Sequence, residues 1–196
     1  ARVEDTTGRE ALLKASGLKK GRILDVGMGG CACMAFFLAR KGFDVTGVDR
    51  SPHAVHVARQ NAEKCRCSGS FTARKADAQH LPFEDGVFDA VISFHSLHHM
   101  EEPVPAIREM FRVCRPGGMV LIADLNPTGR KIYKHAADHN GLLRMIERVA
   151  RSRSSGVRIA DTRLDRLFIC RNKGVGTIGK TPRMARGKRR MQNENG

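Results

Sequence analysis

The chain has 196 residues, of which 41% are hydrophobic and 28% are charged, and this composition suits one domain with a single hydrophobic core. No apolar stretch approaches the length of a membrane-spanning helix, and the N-terminal residues lack the basic, apolar and small segments of a secretion signal. We therefore expect a cytoplasmic protein that does not associate with membranes.

The positive charge is concentrated in the last third of the chain. Residues 126–196 hold 18 Lys and Arg against 5 Asp and Glu, so they carry +13 of the net charge of +15. Such an asymmetry favours an anionic partner such as nucleic acid or a phosphorylated substrate, whereas a segment rich in Gly, Lys, Arg and Asn is typical of a flexible tail. We predict a single domain over residues 1–172 and a basic, flexible tail over residues 173–196.

The first part of the chain predicts a βαβ unit behind a short amphipathic helix. The helix covers residues 9–16, and a buried strand follows at 23–26. A glycine-rich turn at 27–30 connects this strand to a mostly apolar helix over 31–40, and a second buried strand covers 45–49. Because ligands of parallel βαβ units lie outside the carboxyl ends of the strands, the sequence predicts a cofactor site at this turn.

The remaining elements continue the alternation of strands and helices and end in a hairpin. We predict strands over residues 71–76, 88–94 and 119–123, helices over 52–64, 103–114 and 132–153, and hairpin strands over 157–161 and 164–170. This order is typical of an α/β fold. The expected sheet has seven strands, is mostly parallel with an antiparallel edge hairpin, and carries helices on both faces.

Two cofactors compete for the glycine turn. Gly27, Gly29 and Ala32 match the G-x-G-x-x-G/A pattern of dinucleotide-binding proteins, and Asp49 follows Gly29 by 20 residues, where such proteins bind a ribose. S-adenosylmethionine also needs a ribose carboxylate, and it needs a second acid for its ammonium group. Asp25 supplies that acid, which would repel a pyrophosphate. The turn favours the methyl donor modestly, and an NAD(P)-dependent oxidoreductase is the alternative.

The six cysteines include two Cys-x-Cys pairs, Cys31 with Cys33 and Cys65 with Cys67. Neither pair has the Cys-x-x-Cys spacing of a structural zinc site, and the first pair lies at the start of a helix beside the glycine turn. We predict reduced thiols and no metal site, with Cys31 and Cys33 serving as small packing residues.

Four segments occur in the order typical of one enzyme family: ILDVGMGG, VTGVDRS, ADAQHLPFEDGVFDAVISFHSLHHM and IREMFRVCRPGGMVLIAD. On these segments the chain resembles the class I S-adenosylmethionine-dependent methyltransferases, which have a Rossmann-like fold. Within that family it is similar to the branch that includes quinone-biosynthesis, arsenite and wobble-uridine tRNA methyltransferases. The resemblance covers residues 18–123 and extends more loosely to residue 170. It implies S-adenosylmethionine as cofactor and S-adenosylhomocysteine as product.

The resemblance also implies roles for individual residues. It places Asp25 near the methionine ammonium, brings the backbone of Gly27 and Gly29 close to the cofactor, and assigns the ribose hydroxyls to Asp49. The further implied contacts are Arg50 beside the adenine, Asp77 and Ala78 as its hydrogen-bond partners, and Phe94 and His95 against the methionyl part. The third glycine of the family falls at Cys31, so we expect a more crowded turn at that position.

Methyl transfer from a sulfonium is an in-line displacement on an activated donor, so the protein chiefly aligns the reactants and excludes water. A general base is needed when the acceptor is protonated at neutral pH. His95, directly after the fourth predicted strand, is the candidate for this catalytic role. We interpret His98 and His99, in the same segment, as structural residues.

The acceptor is predicted to be a small molecule, because Tyr133 and Phe168 are the only aromatic residues after Phe111 and RNA recognition uses such side chains for base stacking. The alternative acceptor is RNA of the tRNA type, bound by a phosphate-tracking groove in the basic third. Its candidate contacts are Arg130, Lys131, Lys134, Arg144, Arg148, Arg151 and Arg153. A third interpretation is a non-catalytic module that binds the cofactor or RNA.

Overall fold

A computed structural model of the chain describes residues 6–64, 67, 69–134 and 139–174. Within these residues the strands are β1 (Arg22–Val26), β2 (Asp44–Asp49), β3 (Phe71–Lys75), β4 (Phe88–Phe94), β5 (Cys114–Leu125), β6 (Ser154–Asp161) and β7 (Asp165–Asn172). The helices are α1 (Thr6–Ser16), α2 (Cys33–Arg40), α3 (Pro52–Lys64), α4 (Pro103–Val113), α5 (Pro127–Tyr133) and α6 (His139–Arg153), with one 3-10 turn at Leu97–His99.

The strands form one sheet in the order β3-β2-β1-β4-β5-β7-β6. The first five strands in this order run parallel to one another, whereas β7 runs antiparallel to both of its neighbours, β5 and β6. The predicted architecture is therefore confirmed, including the antiparallel hairpin at one edge. Because β7 rather than β6 pairs with β5, the start of β7 lies beside the end of β5, with Leu125 opposite Asp165.

Two hydrophobic clusters cover the two faces of the sheet. Neighbouring residues of β1 divide between them, since Ile23 belongs to one cluster and Leu24 to the other. The same division occurs in β4, where Ala90 and Val91 point to opposite faces. A central strand with both faces buried explains why β1 and β4 are apolar runs rather than alternating patterns.

Several boundaries differ from the sequence-based prediction. The helix expected over 31–40 begins at Cys33, because Ala32 adopts a left-handed conformation with φ +43° and cannot join the right-handed helix. The helix expected over 132–153 is divided into α5 and α6, since Lys134 ends α5 in a left-handed conformation. Strand β5 begins at Cys114, and residues 115–118 bulge out between its pairings with Phe88 and Ala90.

Asn126 connects the end of β5 to α5 and to the loop before β7. Its Oδ1 accepts hydrogen bonds from the amides of Thr128 and Gly129, both at 3.0 Å, and so caps α5. Its Nδ2 donates to the carbonyl of Thr162 at 3.0 Å. The side chain is buried, so each of these groups would lack a partner without it.

We expect Asn126→Ala to lower the free energy of unfolding by about 2 kcal/mol, the sum of a lost cap and a lost buried hydrogen bond. Urea denaturation measures this effect. The Asn126→Asp variant keeps the cap acceptors but loses the donor, and we expect it to unfold at an intermediate urea concentration. A wild-type midpoint for the alanine variant would contradict this role of the cap.

Three further expectations concern the chain as a whole. Within the described ranges, no helix is long and apolar enough to cross a membrane.

Cys67 is disulfide-bonded, so the prediction of reduced thiols is wrong for this residue. Spacing along a sequence does not report how closely two sulfur atoms approach. The predicted tail over 173–196 lies outside the described residues beyond residue 174, and the domain boundary at 172 stays a prediction.

Candidate functional site

A cavity of about 950 Å³ opens at the carboxyl ends of the parallel strands. All nine residues predicted for the cofactor site line it: Asp25, Gly27, Gly29, Asp49, Arg50, Asp77, Ala78, Phe94 and His95. They come from the carboxyl ends of β1, β2 and β4 and from the segments that follow β1, β2, β3 and β4. A parallel sheet brings these ends to one edge, which explains how residues far apart in the chain meet.

The cavity also contains residues that the sequence reasoning missed. Arg9 reaches it from α1, and Met28 and Met34 contribute apolar surface beside the glycine turn. Ser96, His99, Met100 and Glu101 follow β4 and form another part of the wall, together with Ser51 and Gln79 from the neighbouring loops. Several of these residues lie in segments that the sequence singled out, namely the glycine turn and the segments after β2, β3 and β4. Arg9 had no such signal, because α1 joins the site through tertiary packing.

The glycine turn brings the backbone to the cavity. Gly27 and Gly29 have φ values of +74° and +63°, which favour glycine. A Cβ at Gly27 would lie 2.5 Å from Cβ of Ser96, so a side chain is excluded there. A Cβ at Gly29 would meet nothing within 4 Å, so the backbone at this residue is open to a bound molecule.

Cys31 takes the position of the third glycine of the family. Its side chain is exposed and lines the cavity, and the non-glycine residue with a left-handed backbone in this turn is Ala32 instead. The predicted packing role is therefore wrong for Cys31. The expected crowding at this position stays a prediction.

Asp25 is the most unusual acid of the cavity. Its side chain is 1% exposed, and Oδ2 has no hydrogen-bond partner. Burial raises the pKa of this carboxyl group to about 7, and the neighbouring charges of Cys31 and Asp49 add to the rise. A hydrogen bond from the Ala35 backbone acts in the opposite direction. A buried, unsatisfied carboxylate oxygen beside a cavity suits a cationic group such as an ammonium.

Asp49 is oriented by the backbone at the end of β2. Its Oδ2 accepts a hydrogen bond from the amide of Gly29 at 2.9 Å, and its Oδ1 accepts one from the amide of Ser51 at 2.8 Å. Each oxygen keeps a second lone pair. A carboxylate held in this way can accept hydrogen bonds from two neighbouring hydroxyl groups.

The residues after β3 form the far end of the cavity. Asp77 accepts a hydrogen bond from the Gln79 amide at 2.9 Å, which orients its carboxylate. Ala78 lies between these two residues in the chain, and Arg50, directly after β2, also lines the cavity. A purine ring with an exocyclic amine needs a hydrogen-bond acceptor, backbone polar groups and a planar surface. The Asp77 carboxylate, the backbone of Ala78 and the Arg50 guanidinium can supply these.

His95 forms a close pair with a buried acid. Its Nε2 lies 2.5 Å from Oδ1 of Asp165, whose side chain is fully buried. The backbone of His95 is left-handed, with φ +54°, and its ring stacks on Phe94 at 4.3 Å between centroids. Thr162 donates a further hydrogen bond to Asp165 at 3.3 Å. A histidine that is oriented by a hydrogen bond to a buried acid can act as a general base.

The other two histidines of this segment differ. His98 is buried and its Nδ1 lies 2.7 Å from Oδ1 of Asp124, away from the cavity lining. The structural role of His98 stays a prediction. His99 lines the cavity, and the structural role predicted for it stays a prediction. Among the side chains described, no group of three or more His, Cys, Asp or Glu could hold a metal ion.

Comparisons with known proteins agree with this geometry. A family model described as a methyltransferase domain matches residues 24–122. The ubiquinone biosynthesis O-methyltransferase of Alkalilimnicola ehrlichii is 38% identical over 111 residues, which cover 56% of this chain and 44% of that protein. The erythromycin 3''-O-methyltransferase of Saccharopolyspora erythraea is 35% identical over 118 residues, which cover 59% of this chain and 39% of that protein. The chain spans about half the length, or less, of these curated relatives.

Solved structures share the fold. A protein from Methanococcus maripaludis whose proposed activity is that of an S-adenosyl-L-methionine-dependent methyltransferase superposes with a TM-score of 0.71 at 20% identity, covering 87% of this chain and 85% of that chain. The (4+2)-cyclase SpnF superposes with a TM-score of 0.60 at 27% identity, covering 78% of this chain and 57% of that chain. The second comparison indicates that this fold also serves a protein named for a different reaction, so the reaction must be argued from the site.

Proposed function

The chain belongs to the family of methyltransferase domains, and from this premise we propose that it binds S-adenosylmethionine and transfers the methyl group to a hydroxyl oxygen of a small molecule. The observation that carries the proposal is Asp25, whose buried Oδ2 lacks a partner beside an open glycine turn. An ammonium group would satisfy this oxygen. The pyrophosphate of a dinucleotide would instead meet a carboxylate, which argues against NAD(P).

The remaining groups of the cofactor find partners in the same cavity. We assign the ribose hydroxyls to Asp49 and the adenine to Asp77, Ala78 and Arg50, in agreement with the implied roles. Arg9 lines the cavity and its charge lowers the pKa of Cys31, so it lies at the methionine end. We assign it to the carboxylate of the methionine moiety.

When bound, the cofactor supplies a methyl group on a positively charged sulfur, which is an activated donor for in-line displacement. The protein orients the acceptor hydroxyl and takes up its proton. Because Nε2 of His95 is engaged by Asp165, Nδ1 is the nitrogen that receives the proton from the acceptor oxygen. The Asp165 carboxylate then stabilises the imidazolium that forms. Phe94 and Met100 help to exclude water from this part of the cavity.

A small acceptor fits the structure better than RNA does. The seven basic residues predicted for an RNA groove all fall within the described ranges, and none of them lines the cavity. The two relatives described above are named for quinone and macrolide O-methylation, which are reactions on small molecules. We therefore favour a hydroxylated small molecule as acceptor, and the cytoplasmic location stays a prediction.

Calorimetric titration tests the cofactor assignment directly. We expect S-adenosylmethionine and S-adenosylhomocysteine to bind the wild type, and NAD(H) to show no heat of binding. Replacing Asp49 with Ala should weaken the binding of both nucleosides by about 100-fold, because two hydrogen bonds to a charged group are lost. Asp44→Ala removes a carboxylate from the opposite end of β2 and serves as the control. Tight binding of NAD(H) alone would overturn the proposal.

A further inference from the structure

Arg112 of α4 does not line the cavity, yet every donor of its guanidinium is engaged. Nε and Nη2 donate to the two carboxylate oxygens of Glu109, at 2.6 and 2.7 Å. Nη1 donates to the Asp85 carboxylate at 2.8 Å. The remaining donors bind backbone carbonyls, with Nη1 2.8 Å from the oxygen of Phe83 and Nη2 2.9 Å from that of Leu81. A guanidinium has five N–H donors, so none is left over for solvent.

Glu109 holds the same segment through its carboxylate. Its Oε2 accepts a hydrogen bond from the Leu81 amide at 2.9 Å, so the two α4 side chains together bind both the N–H and the C=O of Leu81. The hydrogen bond from Arg112 lowers the pKa of Glu109, so this carboxylate is charged at neutral pH. Leu81 is buried, and its peptide groups would lack partners if either side chain were lost.

The segment held by α4 closes the loop over residues 76–83, which we call the adenine loop. In this loop the His80 amide donates to the Asp77 carbonyl at 3.1 Å, which makes one tight turn. Inside the turn the Gln79 amide donates to the Asp77 carboxylate at 2.9 Å and fixes its direction. Asp77 and Gln79 line the cavity, whereas Leu81, two residues further on, is the point that α4 holds.

The two ends of the adenine loop are fixed by different parts of the fold. At its start the Ala76 amide donates to the carbonyl of Asp49 on β2 at 3.0 Å. At its end the carbonyls of Leu81 and Phe83 are bound by the Arg112 guanidinium. A substitution in α4 can therefore change the geometry of the loop while the sheet keeps its pairing.

We propose that Arg112 and Glu109 are positioning residues: they fix the adenine loop so that the Asp77 carboxylate meets an exocyclic amine, and they thereby set the selectivity of the cavity for adenine over hypoxanthine. This selectivity rests on the proposed function, because it needs the assignment of the adenine to Asp77. The restraint of the loop by the two α4 side chains stands independently of that assignment.

Adenine and hypoxanthine differ in the direction of two hydrogen bonds. Adenine donates from its exocyclic amine and accepts at the neighbouring ring nitrogen, which suits the Asp77 carboxylate and the Ala78 amide. Hypoxanthine has an oxygen in place of the amine and a hydrogen on that ring nitrogen, so both contacts become unfavourable. S-inosylhomocysteine carries hypoxanthine and otherwise equals S-adenosylhomocysteine. The wild type should prefer S-adenosylhomocysteine by at least about tenfold, the value of one hydrogen bond to a charged group.

Amide hydrogen exchange of the free protein tests the restraint of the loop. In Arg112→Gln we expect the amides of His80 and Leu81 to exchange at least about tenfold faster than in the wild type, because opening the adenine loop breaks fewer hydrogen bonds. Arg115→Gln is the matched control, since Arg115 also pairs with a carboxylate at 2.8 Å, but that of Asp89. Wild-type exchange at both amides in Arg112→Gln would overturn the proposal, whatever the protein binds.

Calorimetry with the two nucleosides tests the selectivity. Arg112→Gln should bind S-adenosylhomocysteine about tenfold more weakly than the wild type does, and S-inosylhomocysteine with less than a twofold change. Glu109→Gln has the shape of the original side chain and disturbs folding less, and it should lower the same preference by about threefold. Arg115→Gln should keep the preference of the wild type.

The possible results distinguish this proposal from the proposed function. If Arg112→Gln binds both nucleosides equally more weakly, the guanidinium only supports the cavity wall and the selectivity role is refuted. Unchanged affinities in Arg112→Gln and Glu109→Gln refute it as well. If the wild type binds neither nucleoside, the proposed function is refuted instead, and the exchange measurement still decides whether α4 restrains the adenine loop.

Discussion

Replacing Asp25 with Asn is expected to weaken the binding of S-adenosylmethionine by at least about 100-fold, because a buried ammonium would lose its charged partner. The expected loss has a pH signature. Burial raises the pKa of Asp25 to about 7, so below that pH the carboxyl group must release a proton before it can pair with the ammonium. The wild-type affinity should fall about tenfold for each pH unit below 7 and be highest between about pH 7 and 8, because the α-amino group of the cofactor loses its own proton above about pH 8.

Calorimetry between pH 5.5 and 8.5 measures this dependence. Repeating the titration in buffers of different ionisation enthalpy gives the number of protons released on binding. The Asp25→Asn variant should show no such release. Asp44→Asn removes an exposed carboxylate of β2 and should behave as the wild type does. Wild-type affinity that does not change across this range would contradict the role assigned to Asp25.

The same substitution should stabilise the free protein at alkaline pH. An acid whose pKa is higher in the folded state than in the unfolded state binds its proton more tightly when folded. Its contribution to stability is therefore largest at low pH and declines as the pH rises toward 7. From pH 5 to pH 8 the wild type should lose about 3 kcal/mol through this group, and Asp25→Asn should not. Urea denaturation at the two pH values gives the difference.

Replacing His95 with Ala is expected to lower kcat by about 100- to 10,000-fold, the range for a general base in proton transfer. The cofactor affinity should change much less, because the cofactor is held mainly by groups on β1, β2 and β3. Asp165→Asn should lower kcat at least about tenfold and change its pH profile, since the imidazolium loses the partner that lies 2.5 Å away. The exposed His56, replaced with Ala, is the control.

The acidity of the acceptor distinguishes a base from a structural histidine. A phenol that the wild type methylates should be compared with a nitro-substituted form of the same phenol, which is already ionised at pH 8. The His95→Ala variant should lose most of its activity on the first acceptor and much less on the second, because an ionised oxygen needs no base. Equal losses on both would indicate that His95 only shapes the cavity.

Much of the fold and of the cofactor site could be predicted because the signals are local. The apolar runs at 23–26 and 88–94 are long enough to identify buried strands, and Ser51-Pro52 begins α3 as predicted, with the Ser51 hydroxyl accepting from the Ala54 amide at 3.2 Å. The carboxylates at the carboxyl ends of β1 and β2 follow from the same logic, since consecutive parallel strands end at one edge of the sheet. The start of α2 could not be predicted, because it depends on the left-handed backbone of Ala32.

The sequence by itself determined the order of the elements, the glycine turn and the acids that surround it. Tertiary structure alone decided the chemistry of these groups. Asp165 meets His95, 70 residues earlier, because β7 runs antiparallel beside β5 and places Asp165 opposite Leu125. The pKa of Asp25 depends on its complete burial, and that of Cys31 on Cys33 and Arg9. Burial and long-range pairing arise from how elements pack, and no local pattern of residues encodes them.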